Sequence, residues 1–250
     1  MTIWFTSDTH FNHANIIEYS HRPYADLHEM TEAIISRWNR WVKPGDTVYH
    51  LGDFALSWGR KHWDTIDEIL GRLSGQKWLI RGNHDRDEVV KNPRWHAVRD
   101  YHEIKVDLGG KHKQRIVMSH YAMRAWNQCH RGAWMLHGHS HGNLPDIGGK
   151  IWDVGVDCHE FLPVPIEALQ SVMAKREILS SDHHQPTTGC DHYPADDDNA
   201  AVPAGMEMRR AAVIAEACAI AQCHPSKDAR SFAESVIEQF GHHRHRGDHD

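Results

Sequence analysis

The sequence predicts an α/β layered fold, and three observations lead there. Short β-branched or aromatic runs recur over the first two thirds of the chain. Stretches with helical apolar spacing alternate with the early runs. A polar cluster follows each run, where strands of an open α/β sheet present their ligands.

The strand candidates, in order, are Ile3 to Thr6, Thr47 to Leu51, Trp78 to Arg81, Arg115 to Ser119 and Trp134 to His137. Between them, Leu27, Met30, Ile34, Trp38 and Trp41 fall on one helix face, and Trp63, Ile66, Leu70 and Leu73 on another. Gly109-Gly110, between Ile104-Lys-Val-Asp-Leu and Gln114-Arg-Ile-Val-Met, reads as a hairpin turn, so the sheet should be mixed in direction. Ile151 to Val156 would add a late strand and Ile166 to Met173 a closing helix.

The composition changes after about residue 178. Residues 179 to 205 form a Pro- and Asp-rich linker without periodicity, and 206 to 240 read as two amphipathic helices, the second with Ser226 as a candidate N-cap. Residues 241 to 250, rich in His, read as a disordered tail. Two helices of this length bury little core of their own. Val213, Ile214, Ala217 and Ile220 would therefore dock on the first domain or pair two copies of the chain as a homo-oligomer.

Charge and cysteine usage narrow the class. Residues 1 to 178 carry 22 Lys and Arg against 22 Asp and Glu, so the excess of acid in a chain with 28 basic and 34 acidic residues lies in the tail. A neutral first segment gives no footprint for nonspecific nucleic-acid binding. The five cysteines are scattered and form no CxxC pair, which speaks against a zinc ribbon or a disulfide framework and for a reducing cytoplasm. No apolar stretch approaches the roughly 18 residues of a membrane span. The anomaly is 24 histidines, 16 of them in the first 178 residues.

Five polar clusters lie just past the strand candidates: Asp8-Thr-His10, Gly52-Asp53, Gly82-Asn-His-Asp85, Ser119-His120 and Gly138-His-Ser-His141. Their mix of carboxylate, amide and imidazole donors suits Mn, Fe, Zn and related divalent ions rather than calcium. Singly, each cluster is no more than a turn or a helix cap; their order is the signal.

In that order, with Gly-Asn-His-Asp and Gly-His-Ser-His intact, the clusters resemble the signature of the calcineurin-like metallophosphoesterase superfamily. Ser7-Asp-Thr-His-Phe, Arg22-Pro-Tyr, Tyr49-His-Leu-Gly-Asp-Phe, Ser119-His-Tyr-Ala-Met-Arg-Ala-Trp-Asn and Asp153-Val-Gly-Val-Asp-Cys-His are similar to its small, cap-free bacterial and phage branch. The resemblance covers residues 1 to 178. It implies a four-layer sandwich, two mixed β-sheets flanked by helices; the C-terminal helical extension read from residues 206 to 240 lies beyond it. It also implies two divalent metal ions, manganese first and iron, zinc or nickel as alternatives.

Carried over by position, the resemblance puts Asp8, His10 and His141 on one ion and Asn83, His120 and His139 on the other, with Asp53 bridging. A bridging carboxylate keeps such ions about 3.5 Å apart, where a shared water becomes a hydroxide for in-line attack on phosphorus. His84 would protonate the departing alkoxide, and Asp85 would orient His84 by a hydrogen bond. His13, Asn15, Arg22, Arg124 and Asn127 are candidate contacts to the phosphate or leaving group, against ordinary surface or capping roles. His50 and His137, inside strands, read as hydrogen-bonded core histidines, and Trp38, Trp41, Trp63 and Trp78 as core rather than base-stacking platforms.

The expected reaction is hydrolysis of a small phosphoester, a phosphodiester before a monoester because a cap-free site is open on both sides of phosphorus. Nucleotide-derived or cyclic diesters lead. The alternatives are a promiscuous phosphomonoesterase and a noncatalytic protein-interaction scaffold on the same fold, the latter disfavoured because every ligand and His84 are present.

Overall fold

A computed structural model describes residues 1–57, 62–146 and 148–178. The linker, the two helices and the His-rich tail expected after residue 178 lie outside the described residues.

Two sheets carry the fold. The first has strand order β4-β3-β2-β1-β9, from β1 (Ile3–Thr6), β2 (Thr47–His50), β3 (Gln76–Ile80), β4 (Ala97–Arg99) and β9 (Val164–Pro165). Its first four strands are parallel and β9 runs antiparallel beside β1. The second has order β5-β6-β7-β8, from β5 (Tyr101–Val106), β6 (Gln114–Ser119), β7 (Trp134–His137) and β8 (Ile151–Asp153). Here β5 and β6 form the antiparallel hairpin expected from Gly109-Gly110, while β6, β7 and β8 are parallel. Both sheets are therefore mixed.

Alternation along the strands assigns the layers. Trp4, Val48 and Leu79 point to one core, with Met30, Ile34 and Trp38 of α2 (Leu27–Trp41) and Ile66, Ile69 and Leu70 of α3 (Trp63–Arg72). Phe5, Tyr49 and Ile80 point the other way. They meet Ile116, Met118, Trp134 and Leu136 of the second sheet, with Ile166, Leu169 and Met173 of α5 (Ile166–Ala174). Val117, Met135 and Ile151 face outward under Trp126, Cys129 and Ala133.

The α2 helix begins where Asp26 accepts a hydrogen bond from the Glu29 N–H at 2.8 Å, and the Glu29 carboxylate in turn accepts one from the Ala25 N–H at 2.6 Å. Its last residue departs from expectation. Trp41 is 51% exposed and lies against Arg40, because the apolar stripe turns away from the sheet at the helix end. Trp38 is buried, and Trp63 and Trp78 are half-buried.

Two short helices, α1 (Ile16–Tyr19) and α4 (Asp87–Val90), follow the first and third strands of the first sheet. The late strand is shorter than Ile151 to Val156: β8 stops at Asp153, and Val156–Cys158 form a 3-10 turn. That turn brings Asp157 back towards the strand ends. No helix of the described residues is long and apolar enough to cross a membrane.

Candidate metal centre

The C-terminal ends of parallel strands from both sheets converge on one site, and the loops leaving them are locked to one another. The Asp8 N–H donates to Gly52 O at 2.9 Å, His10 N–H to Asp53 O at 3.0 Å and Phe11 N–H to Phe54 O at 2.9 Å, extending the pairing of β1 and β2 past their ends. This zipper holds side chains in an unusual backbone. Asp8, His10, Asp53, His139 and His141 all have positive φ, between 48° and 67°. Non-glycine residues rarely adopt it, and each instance costs about 1–3 kcal/mol that the surroundings must offset. Such strain concentrates where function demands it.

The glycines of the motifs are there for space. A Cβ on Gly138 would sit 2.0 Å from Ser7 Oγ and 2.4 Å from Asp8 Oδ2, and one on Gly82 would sit 2.3 Å from Asp53 Oδ1. Any side chain would expel the carboxylates.

Two groups of donors come together: Asp8, His10 and His141, and Asp53, His120 and His139, the ligand atoms of each group lying within 4.8 Å of one another. Asn83 joins the second, its Oδ1 3.1 Å from His120 Nε2. One atom lies between the groups. Asp53 Oδ2 is 3.6 Å from His10 Nε2 and 3.4 Å from His120 Nε2.

The donor set fits divalent ions. His10 Nε2 is buried without a hydrogen-bond partner and faces the Asp53 carboxylate, as an imidazole nitrogen reserved for a cation would. His50 Nδ1 also lacks a partner, but its ring is enclosed against Phe54 and Trp95 and belongs to neither donor group. The opposite nitrogens of two ligand candidates are occupied: His120 Nδ1 lies 2.8 Å from Leu51 O, and His141 Nδ1 lies 2.7 Å from Asp157 Oδ2. Fixing one ring nitrogen this way presents the other for coordination.

Burial and mutual charge set the proton affinities. Burial pushes the Asp8 carboxyl up to about 7, against the pull of His120 and His141. Burial acts the same way on Asp53, but the hydrogen bond and charge of His120 outweigh it and hold that carboxyl well below the ordinary range. Burial holds His10 well below its usual value. His120 and His141 are drawn down by burial yet end raised, through Asp53 and Asp157 respectively. A buried acid with raised proton affinity gains from a nearby cation.

The remaining sequence candidates divide. His84 stands at the rim, half-buried, with Nε2 4.0 Å from Asp53 Oδ2 and its ring 5.2 Å from that of His10. His13 joins the same edge, its Nδ1 3.1 Å from His10 Nδ1. Asp85 does not orient the His84 ring. Its buried carboxyl, pushed up to about 6 chiefly by desolvation, accepts the N–H groups of Asp53 (2.8 Å), Gly82 (2.9 Å) and Phe54 (2.8 Å), so it positions the Asp53 loop.

Arg22 is not a phosphate contact either: its side chain is buried and its donors are taken by Asp157 and by the carbonyls of Asp8 and Thr9. Asn127 is exposed and gives its amide to the Glu103 carboxylate. Asn15 is exposed at the start of α1, without a capping bond from its side chain. Arg124 is exposed and lines a cavity of about 530 Å³ beside Ser140 and Trp152. His50 and His137 are buried and bonded, to Thr9 Oγ1 and Gly138 O, both at 3.0 Å.

Sequence reasoning missed Asp153, Asp157 and Tyr121. Asp153 Oδ2 accepts from Ser140 Oγ at 2.8 Å and Gly142 N–H at 3.1 Å, pinning the loop that carries His139 and His141. Tyr121, 50% exposed, packs edge-on against His139 and His120. The two acids were visible in Asp153-Val-Gly-Val-Asp157; their direction was not.

Two mixed sheets with a carboxylate and imidazole cluster at their converging strand ends define an α/β sandwich with a candidate metal centre. Residues 1–208 match the calcineurin-like phosphoesterase family, and the chain belongs to it. The uncharacterized protein MJ1445 of Methanocaldococcus jannaschii is 32% identical over 183 residues, 71% of this chain and 94% of that one. The Gene 66 protein of Mycobacterium phage D29 is 31% identical over 165 residues, 57% of this chain and 79% of its own. Among solved structures, the protein of unknown function AQ665 from Aquifex aeolicus superposes with a TM-score of 0.53 at 26% identity, covering 68% of this chain and 98% of that one. Family and donor groups together support metal-dependent hydrolysis of phosphoesters.

Proposed function

We propose that the chain hydrolyses phosphodiesters, nucleotide-derived or cyclic ones foremost, with two divalent ions, manganese first. Asp8, His10 and His141 would hold one ion, Asn83, His120 and His139 the other, and Asp53 both. The observation that carries this reading is the place of Asp53 Oδ2, within 3.6 Å of an imidazole nitrogen from each group. When bound, two ions so arranged acidify a water and neutralise charge on the ester oxygens.

The protein's own contribution is positional. Asp85 and the zipped loops fix Asp53, and the His84 backbone N–H donates to Asp53 Oδ1 at 2.8 Å, which sets where the His84 ring projects. From the rim, His84 holds a proton for the leaving oxygen as the P–O bond breaks. Asn83, Tyr121 and His139 are exposed beside it, which leaves room for groups on both sides of phosphorus and favours diesters.

A panel of monoesters, linear diesters, and 2′,3′- and 3′,5′-cyclic nucleotides, run with Mn, Fe, Ni and Zn, tests the reading. Diester turnover above monoester turnover is expected. Faster monoester turnover with every metal would replace it by a phosphomonoesterase.

A further inference from the structure

We infer that Arg22 and Asp157 are a positioning pair that holds the whole Asp8, His10 and His141 group in ligand geometry before an ion arrives. The inference rests on the two-ion reading above and concerns how differently the two positions are supported.

The guanidinium is fully enclosed, and each of its nitrogens donates. Nε and Nη2 reach Asp157 Oδ1 and Oδ2, both at 2.8 Å, in a two-pronged pair. Nη2 also reaches Asp8 O at 2.7 Å, and Nη1 reaches Thr9 O at 3.0 Å. Asp157 Oδ2 passes the grip to His141 Nδ1 at 2.7 Å, which leaves Nε2 as that ring's free nitrogen. Asp8 is thus tied through its own carbonyl, His10 through the carbonyl just before it, and His141 through Asp157.

The backbone explains why an arginine stands there. Asp8 and His10 have φ of 58° and 49°, a conformation that turns buried carbonyls of this segment towards the interior, where they need donors. One planar fork serves two carbonyls and a carboxylate at once, which the single ammonium of a lysine cannot match.

The other group is held by different residues: Asp85 fixes the Asp53 loop through backbone N–H groups, and neither Arg22 nor Asp157 donates to or accepts from Asp53, His120 or His139 in the bonds of the described residues. His120 rests on a neutral carbonyl, Leu51 O, and His139 is held through its backbone N–H, at 3.0 and 3.1 Å from the Asp8 carboxylate oxygens. Loss of the pair should therefore weaken one ion and spare the other.

Calorimetric titration of the metal-stripped full chain with Mn²⁺ tests this on wild type, Asp157→Asn, Asp157→Ala and Arg22→Lys, with circular dichroism confirming the fold. Asp157→Ala should lose about 10- to 100-fold in affinity for one ion and keep the other within about 3-fold. Asp157→Asn, which retains an oxygen for His141, should recover part of that loss. Arg22→Lys should resemble Asp157→Ala in which ion it weakens.

Two unchanged affinities in folded Asp157→Ala, or an equal fall in both, would overturn the inference. Should Asp157→Ala fail to fold, the isosteric Asp157→Asn decides by the same criterion. Fewer than two ions on the wild type would sink the two-ion reading itself and this inference with it, an outcome distinct from any seen only in the variants.

Discussion

The two sheets contribute different chemistry to the site. Loops after β1, β2 and β3 of the first sheet supply every oxygen donor of the proposed ligand set, Asp8, Asp53 and Asn83, together with His10 and the rim residue His84. Loops after β6 and β7 of the second supply imidazoles only, His120, His139 and His141. The carboxylates of the ligand set are thus gathered on one wall and only imidazoles stand on the other, and each donor group draws on both. The core between the sheets packs against the strands that carry both walls.

Four experiments can break or sharpen that contrast, beginning with the largest effect. Asp53→Ala removes the carboxylate that the two groups share and should lower kcat/KM by more than about 10²-fold, since a ligand must cost more than the groups supporting it. Steady-state kinetics on a small diester would show it. Activity within 10-fold of wild type would contradict the contrast.

His84→Ala takes a rim group from the same wall and should cost about 10²-fold in kcat for an alkoxide leaving group. The loss should shrink for p-nitrophenolate, which needs no proton to depart. Equal losses would move His84 from proton donor to binding or charge stabilisation.

The role of the core is probed by Leu136→Ala, between the sheets, against Ile34→Ala, on the helix side of the first sheet; both residues are essentially inaccessible. Each should lower stability by about 2–5 kcal/mol. Leu136→Ala alone should also release metal more readily to a chelator, although it is not in the proposed ligand set. Equal release from both would detach the site from the spacing of the sheets.

The smallest effect lies at the far end of the first sheet. Asp46 accepts from the Thr2 N–H at 2.7 Å, the Lys43 N–H at 3.0 Å and Trp4 Nε1 at 3.0 Å, and these bonds, the two backbone ones foremost, hold its carboxyl below the usual carboxylate range. A carboxyl with depressed proton affinity stabilises the fold above its unfolded value, and the contribution is lost as pH falls through the lower folded value. The gap in Tm between wild type and Asp46→Asn should be widest near neutral pH and close in acid. A gap that widened in acid would refute the sign.

Much of this was legible in the chain. The α2 span from Leu27 to Trp41 follows directly from its apolar spacing, and the paired runs around Gly109-Gly110 form the β5–β6 hairpin. Strands β4 and β9 were not legible, because three and two residues are too short to show alternation and β9 contains a proline. The donor residues announced themselves by type and order at strand ends. Their supports did not: Arg22 and Asp157 meet across 135 positions of sequence. In sequence Arg22 reads as an ordinary surface or capping residue or as a phosphate contact, and only burial shows where its donors go. Asp85 beside His84 misled for a related reason, since adjacent side chains can face opposite ways, and this one faces the loop backbone.

The central claim, one carboxylate shared by two ions, is tested most directly by elemental analysis of purified wild type, Asp53→Ala and His84→Ala. The account predicts about two divalent ions per chain in wild type and in His84→Ala, and a large loss in Asp53→Ala, given the two donor groups that meet at Asp53. Full occupancy in Asp53→Ala beside an empty His84→Ala would contradict it.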